Sequence, residues 1–174
     1  MGFEMPSMPA TPDKPKGKSP EEKSQMVIEL GGSLHDAWRA PRKKEDGTYE
    51  PRVKPTKDEA WKTAHGTDQV DIANTPFAEL PSDWQGENKL AAEAAMKLVI
   101  DAAENGRAFD DMFVDEASAA VHDAWMARRK AEGYDENDPN WSWAKPMMIP
   151  FENLPDEEKK KDADQVRKAI EIYG

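Results

Sequence analysis

Two histidine–tryptophan pairs are the side chains of this sequence whose types and spacing suit molecular recognition. His35 and Trp38 stand in LHDAWRAPR (34–42), and His122 and Trp125 stand in VHDAWMARR (121–129), with six of nine positions identical. On a helix, residues three apart share a face. An indole there can stack on an aromatic ring while the imidazole nitrogens exchange hydrogen bonds. The alternative is structural: the Trp anchors a core and the His ties its helix to a backbone carbonyl.

An arginine follows each of these tryptophans by four residues, as Arg42 and Arg129. A guanidinium at this spacing can grip a phosphate with two hydrogen bonds and stack beside the indole. The same cation is also favoured in the last turn of any helix by the helix dipole. Both interpretations remain open from the sequence.

Trp141 and Trp143 alternate in NWSWAK, so in an extended segment they would face the same side. An aromatic pair beside a cleft suits a planar ligand, although core packing explains such a pair equally well. Trp61 is the expected counterpart in the first half of the chain.

Motifs of known catalytic chemistry are absent from the sequence. It has no Gly-rich phosphate loop after a strand and no G-x-S-x-G, and its three His are scattered and its Cys count is zero. A thiolate site, a Cys nucleophile and a histidine metal site are therefore not expected. We predict a protein that is not an enzyme, with no metal and no cofactor.

Composition narrows the class of partner. The formal net charge of −11 argues against nucleic-acid binding, which needs a basic face. Mean hydropathy is −0.91, and no apolar run approaches the roughly 20 residues that span a bilayer. The first residues also lack the order of a secretory signal. We expect a soluble, cytoplasmic protein without a membrane partner.

The paired motifs require helices to position them. Ser19-Pro20 with Glu22 is typical of a helix start. Apolar stripes then follow at spacings of three and four, comprising Leu30, Leu34 and Trp38 in one helix and Val114, Ala117, Val121 and Trp125 in the other. Gly31 and Gly32 indicate either a break or a close approach by another backbone. Gly133 is a natural terminator of the second helix.

A second repeated element follows each helix. TPFAELPSD (75–83) matches IPFENLPDE (149–157), and each leads into an amphipathic helix. The apolar positions of these helices correspond in pairs, Ala92, Ala95, Met96 and Val99 with Val166, Ala169, Ile170 and Tyr173. The distance from His to the Pro-Phe element is 41 residues in the first copy and 28 in the second, so the first carries 13 extra residues. This pattern indicates an internal duplication.

The fold class that follows is mainly α with short β segments. We predict two tandem helix–short strand–helix repeats, 19–106 and 107–174, packed with pseudo-twofold symmetry into one domain because one copy buries only a marginal core. Short strands are expected in QVDIAN (69–74) and KPMMIPF (145–151). Residues 1–18, rich in Pro and Lys, are expected to form a disordered arm.

The 13 extra residues lie in a stretch rich in charge and Pro. Long loops without regular structure are often functional or mobile. We therefore expect residues 43–70 to be a lid or mobile, and residues 52–64 to be dispensable for folding.

The motif set resembles the RyR domain, a repeat found in tandem pairs in ryanodine receptors and in small bacterial and phage proteins. The second copy carries the resemblance best, with Val121-His122-x-x-Trp125, Gly133-Tyr134 and MIPFENLPDEEKKKDADQVRKAI (148–170). The first copy keeps five of the motif residues, His35, Trp38, Phe77, Leu80 and Pro81. It departs in its long middle and in Pro41, which stands where the second copy has Arg128. The resemblance implies a helical fold of paired repeats and non-enzymatic work, either protein contacts or sensing of nucleotide-derived molecules.

We therefore expect a binding module for a small nucleotide-like ligand in the cleft between the repeats. The predicted ligand-binding residues are His35, Trp38, Arg42, His122, Trp125, Arg129, Trp141 and Trp143. The alternative is a protein-interaction or structural module, with a protein partner bound through the N-terminal arm.

Overall fold

The structure is a computed structural model and describes residues 17–174. Residues 1–16 of the predicted disordered arm (1–18) therefore lie outside the described residues. Gly17, Lys18 and Ser19 have no regular secondary structure and lead directly into the first helix.

Five α-helices and one small sheet make up this part of the chain. The helices are α1 (Pro20–Arg39), α2 (Glu59–His65), α3 (Ser82–Glu104), α4 (Asp111–Ala131) and α5 (Asp156–Tyr173). The sheet is a single antiparallel pair, β1 (Val53–Pro55) and β2 (Gln69–Asp71), with Lys54 opposite Val70. Short 3-10 turns cover Ala40–Arg42, Phe77–Glu79, Pro139–Trp141, Lys145–Met147 and Phe151–Asn153. The predicted fold class, mainly α with short β segments, is confirmed.

Local signals place the helix ends where the sequence indicates them. The Ser19 hydroxyl accepts a hydrogen bond of 3.1 Å from the Glu22 N–H, which satisfies one free donor of the first turn. α1 ends at Arg39, because Pro41 cannot continue the hydrogen-bond ladder. α4 ends at Ala131, and Gly133, with φ of +97°, closes a Schellman motif two residues later.

The four long helices enclose one hydrophobic core to which both repeats contribute. α3 packs against α5, and each of the two also contacts both α1 and α4. This set of contacts is unchanged when α1 is exchanged with α4 and α3 with α5, as pseudo-twofold symmetry requires. The buried side chains include Met26, Leu30, Ala92, Ala95, Met96, Val99, Phe113, Val114, Ala117, Val121, Val166 and Ala169.

The paired glycines of α1 allow a close approach and do not break the helix. A methyl group added at Gly31 would lie only 3.0 Å from Cζ of Phe77, so the Phe77 ring packs directly on the helix backbone. The approaching group is thus a side chain, and it belongs to the Pro-Phe turn of the same repeat.

The extra residues of repeat one contain a strand and a helix, so the absence of regular structure on which the prediction of a lid or a mobile loop over 43–70 depends is not observed. β1 lies within this stretch and forms a ladder with β2, and α2 follows it. Trp61 of α2 packs against a second apolar cluster formed by Val70, Ile72 and Leu80.

Two aspartates fasten this insertion to α3. Asp58 accepts hydrogen bonds from the N–H groups of Trp61 (3.1 Å) and Ser82 (2.9 Å), so one carboxylate caps both α2 and α3. Asp83 in turn accepts from the Thr56 hydroxyl at 2.7 Å and the Lys57 N–H at 2.9 Å. These contacts tie residues 52–64 to α3, so we now expect their removal to destabilise the fold.

The strand predicted in KPMMIPF is also wrong. That segment consists of the 3-10 turn Lys145–Met147 and the start of the turn Phe151–Asn153. Pro146 and Pro150 have no N–H to donate to a ladder, which favours turns over a paired strand.

None of the helices within residues 17–174 is long and apolar enough to cross a bilayer.

Candidate functional site

The two histidines of the repeated motif are buried and bonded to backbone carbonyls. His35 is 1% exposed and its Nε2 lies 2.8 Å from the Thr75 oxygen. His122 is 3% exposed and its Nε2 lies 2.7 Å from the Ile149 oxygen. Because a carbonyl only accepts, Nε2 carries the proton and donates it. Each His thus ties the first helix of its repeat to the residue before the Pro-Phe turn, which matches the structural alternative for these side chains.

Burial shifts the protonation of the groups around these histidines. Desolvation lowers the pKa of His35, and the hydrogen bond to Thr75 opposes that shift only partly. In repeat two, Asp162 lies 3.8 Å from Nδ1 of His122, and burial raises the pKa of Asp162 to about 6. Asn88 occupies the matching place in repeat one, so this buried carboxylate beside the histidine belongs to repeat two alone.

The motif tryptophans cover the histidines from outside. Trp38 stacks on His35 with ring centroids 5.9 Å apart, and Trp125 stacks on His122 at 5.8 Å. Trp38 is 40% exposed and Trp125 is half-buried, so neither anchors the core as the structural alternative supposes. The buried anchor is the histidine, and the indole forms the outer layer over it.

Repeat one presents a cationic and aromatic surface around its indole. The Arg42 guanidinium lies 4.7 Å from the Trp38 ring centre, and the Arg39 guanidinium lies 4.6 Å from that of Tyr49. We call Trp38, Arg39, Arg42 and Tyr49 the Trp38 surface. Arg39 forms an ion pair with Asp36 at 3.0 Å. Within residues 17–174, no carboxylate lies at ion-pair distance from Arg42.

The insertion of repeat one holds this surface in place. The Glu50 N–H donates to the Arg42 carbonyl at 2.7 Å, which folds the chain back along the end of α1. The Asn74 side chain accepts from the Tyr49 N–H at 2.8 Å and donates to the Tyr49 carbonyl at 2.9 Å. Sequence reasoning missed Arg39 and Tyr49, because their pairing joins positions ten residues apart across a turn.

The matching arginine of repeat two is buried and neutralised. Arg129 is 7% exposed and lies 2.8 Å from Glu87 of α3 and 3.3 Å from Glu132. Its guanidinium also lies within 6 Å of the Trp125 and Trp143 ring centres, at 5.8 and 5.9 Å. Burial lowers the pKa of the adjacent Arg128 and raises that of Glu132. Arg129 therefore links the two repeats and is not available to a phosphate.

Four rings of repeat two form a continuous series, which we call the aromatic row. Tyr134 meets Trp141 edge-on at 5.8 Å, Trp141 stacks on Trp143 at 6.0 Å, and Trp143 meets Trp125 edge-on at 6.4 Å. Trp143 is 53% exposed. Trp141 ends the 3-10 turn Pro139–Trp141 and Trp143 lies in the turn that follows it, so the pair is not on the predicted extended segment. Trp61, its expected counterpart, lies on α2.

The eight predicted ligand-binding residues thus form two separate groups. Trp38 and Arg42 belong to the Trp38 surface, with His35 buried beneath the indole. Trp125, Trp141 and Trp143 belong to the aromatic row, and His122 and Arg129 contact Trp125. No aromatic or cation–π contact joins the two groups in the described part of the chain. Two open depressions, of about 440 Å³ between α1 and α3 and about 560 Å³ beside residues 136–149, are lined by none of the eight.

Residues 17–174 bring together no group of three or more His, Cys, Asp or Glu that could hold a metal ion. Comparison with known proteins found no matching family model and no matching curated protein.

Proposed function

We propose that the protein is a non-enzymatic binding module for a small nucleotide-derived ligand, and that the ligand binds at the Trp38 surface of repeat one. The observation that carries this proposal is the Arg42 guanidinium, held 4.7 Å from the centre of a 40% exposed indole. Within residues 17–174, Arg42 has no ion-pair partner. The likeness of the repeats to RyR domains supports the same class of function.

The arrangement suits a planar group joined to an anion. A planar guanidinium can stack between two aromatic faces while its N–H groups point outward in a fixed fork. A nucleobase would therefore extend the Trp38–Arg42 stack, and a phosphate would accept two hydrogen bonds from the rim of Arg42.

Charge near the site favours a small anion over a polynucleotide. Residues 39–44 (RAPRKK) contain four cations and no acid, whereas the whole chain has a net charge of −11. This cationic surface attracts a phosphate group, while the net negative charge of the chain opposes binding of a long phosphate backbone. Since Arg129 is already paired with Glu87 and Glu132, we expect one ligand per chain.

Titration calorimetry with ATP, ADP-ribose and cyclic nucleotides tests the proposal. Arg42→Gln and Trp38→Ala should each reduce affinity by about tenfold or more, as expected for a charge-assisted bidentate contact of roughly 1.5–3 kcal/mol. Lys130→Gln and Trp143→Ala remove an exposed cation and an exposed indole elsewhere, and they should leave affinity unchanged. The absence of binding across the panel, or equal losses in the control variants, would contradict the proposal.

A protein-interaction module is the second candidate. It is favoured by large apolar side chains that remain exposed, Met112 at 67% and Trp143 at 53%. A partner that binds the chain tightly, and whose binding is lost in Trp143→Ala but retained in Trp38→Ala, would favour this candidate over the first.

A further inference from the structure

A series of alternating charges runs along the outer surface of α3. Lys89, Glu93, Lys97 and Asp101 stand four residues apart, so they form one ridge on the helix. All four residues are exposed, and all four line the open depression of about 440 Å³ between α1 and α3. We call these four residues the charged ridge. None of them belongs to the Trp38 surface or to the aromatic row.

Ion pairing within the helix uses only half of the charged ridge. Lys97 and Asp101 form an ion pair at 3.0 Å, with side chains that are 76% and 51% exposed. Within residues 17–174, neither Lys89 nor Glu93 lies at ion-pair distance from an opposite charge. Pairs four residues apart stabilise a helix only where they meet. Stabilisation of α3 therefore does not account for the first half of the ridge.

The order of charges along the ridge is self-complementary. Read in reverse, the series Lys, Glu, Lys, Asp places an acid opposite every lysine. When two α3 helices lie antiparallel about a twofold axis, Lys89 faces Asp101 of the second copy and Glu93 faces Lys97 of that copy. A twofold interface requires such a pattern, because the same patch is used on both sides.

Two such ridges can also lie side by side. Rows of residues four apart are inclined by about 26° to the helix axis, so the rows of two helices align when the axes cross at about 50°. The ridge extends over twelve residue steps, or about 18 Å at 1.5 Å per residue. Lysine has a flexible four-carbon stem, which lets the charges at the two ends reach their partners.

Apolar side chains beside the ridge remain in contact with water. Ile28 of α1 is 42% exposed and Leu90 of α3 is 47% exposed. Ile28 lines the depression together with Val27, next to the charged ridge. Burial of these side chains between two copies would supply the favourable free energy that exposed ion pairs alone do not.

Net charge favours this face for a contact between copies. The chain has a net charge of −11, so two copies repel each other in most orientations. The charged ridge carries two cations and two acids, and Lys23 on the opposite wall of the depression is paired with Glu104 at 2.9 Å. The face is therefore neutral as a whole, and two copies can approach there with little repulsion.

Repeat two carries a different series at the matching positions of α5. These positions hold Ala163, Arg167 and Glu171, so the four alternating charges are not repeated. The ridge is thus not a requirement of the shared fold, and each chain presents it once. A single twofold interface closes a dimer and does not extend into a filament.

We propose that the protein forms a twofold-symmetric dimer through the face between α1 and α3, with the charged ridges of the two copies antiparallel. The occupant of the face is a second copy of this chain. The pairs Lys89–Asp101 and Glu93–Lys97 each form twice across the axis, and the exposed apolar side chains beside the ridge are buried between the copies.

Sedimentation velocity of the full chain, at concentrations from about 1 µM to 1 mM, tests the proposal. The unaltered protein should dimerise reversibly. Glu93→Lys places two lysines opposite each other and Lys97→Glu places two acids opposite each other, and the twofold axis makes each clash occur twice. Each single variant should raise the dissociation constant of the dimer by about tenfold or more.

Exchange of the two charges provides a sharper test. The double variant Glu93→Lys/Lys97→Glu restores opposite charges across the axis and should dimerise like the unaltered protein. An equimolar mixture of the two single variants should form a mixed dimer more tightly than either variant dimerises alone. Lys160→Glu is the matched control, because Lys160 is 74% exposed and pairs with Asp164 four residues later. It should leave dimerisation unchanged.

Circular dichroism should show the same helix content in every variant, since all the substituted residues are exposed. A monomer over the whole concentration range would overturn the proposal. So would a dimer that Glu93→Lys does not weaken, a double variant as weak as the single variants, or an equal loss in Lys160→Glu.

Discussion

At the scale of single residues, the repeated His-x-x-Trp motif separates two tasks. The histidine is buried and donates a hydrogen bond to a carbonyl, at 2.8 Å in repeat one and 2.7 Å in repeat two. The tryptophan lies over it and keeps part of its ring in water. Spacing alone places both side chains on one face of the helix. The spacing does not show whether the histidine or the tryptophan is more deeply buried, because that depends on where the Pro-Phe turn packs.

The histidines should therefore matter more for stability than the larger indole of repeat one. His35→Leu leaves the buried Thr75 carbonyl without its donor, which should cost about 1–3 kcal/mol. Trp38→Ala removes a 40% exposed ring and should cost less. Urea denaturation of both variants measures the difference, and a larger loss for Trp38→Ala would show that the indole is the structural anchor.

Asp162 should make stability depend on pH. Its pKa is raised by burial from the ordinary 3.8 to about 6, so its protonated form stabilises the fold at low pH and this contribution is lost as the pH rises through 6. The shift corresponds to at most about 3 kcal/mol, and we expect about half because water still reaches the carboxylate.

Chemical denaturation between pH 4 and 7 measures the effect of Asp162. Relative to Asp162→Asn, the unaltered protein should lose stability across this range, whereas the control Asp164→Asn should run parallel to it. A difference between the unaltered protein and Asp162→Asn that stays constant with pH would refute the assignment.

At the scale of elements, the sequence predicts the helices well because their signals are local. Ser19 begins a helix and Pro41 and Gly133 end helices, and each acts only on the adjacent helical turn. The structure of the insertion does not follow from local signals, because it depends on distant contacts. β1 is stable only beside β2, and α2 only with Trp61 against Val70 and Ile72. A seven-residue helix has no stability of its own in water.

Removing residues 52–64 should consequently destabilise repeat one. The deletion eliminates β1 and most of α2 and exposes Val70, Ile72 and Leu80. Trp61→Ala is the milder form and should cost about 2–3 kcal/mol, below the 3–5 kcal/mol of a fully buried Trp. Thermal melts can be compared with those of Trp143→Ala, which should shift little. A deletion variant that melts like the full chain would restore the view of a dispensable loop.

At the scale of the whole molecule, duplication yields one core and two different surfaces. The two repeats are joined by the packing of α3 on α5 and by the ion pair between Glu87 and Arg129. The candidate site could be predicted only in part. Trp38 and Arg42 follow from the motif, but the neutralisation of Arg129 depends on Glu87, which is 42 residues away in the sequence.

Neither repeat should fold alone. Separation exposes the face of α3 that packs on α5, and one repeat retains too small a core. Circular dichroism of the fragments 19–106 and 107–174 should show little helix in each, with recovery when the two are mixed. Cooperative melting of either isolated fragment would contradict the shared core.

We expect the Trp38 surface alone to bind a nucleotide-derived ligand. An NMR titration of the six indole N–H signals with ADP-ribose and, separately, ATP tests this. We predict saturable shifts of Trp38 at one ligand per chain, with Trp125, Trp141 and Trp143 unchanged. Shifts confined to the aromatic row, or no saturable shift with either ligand, would contradict the claim.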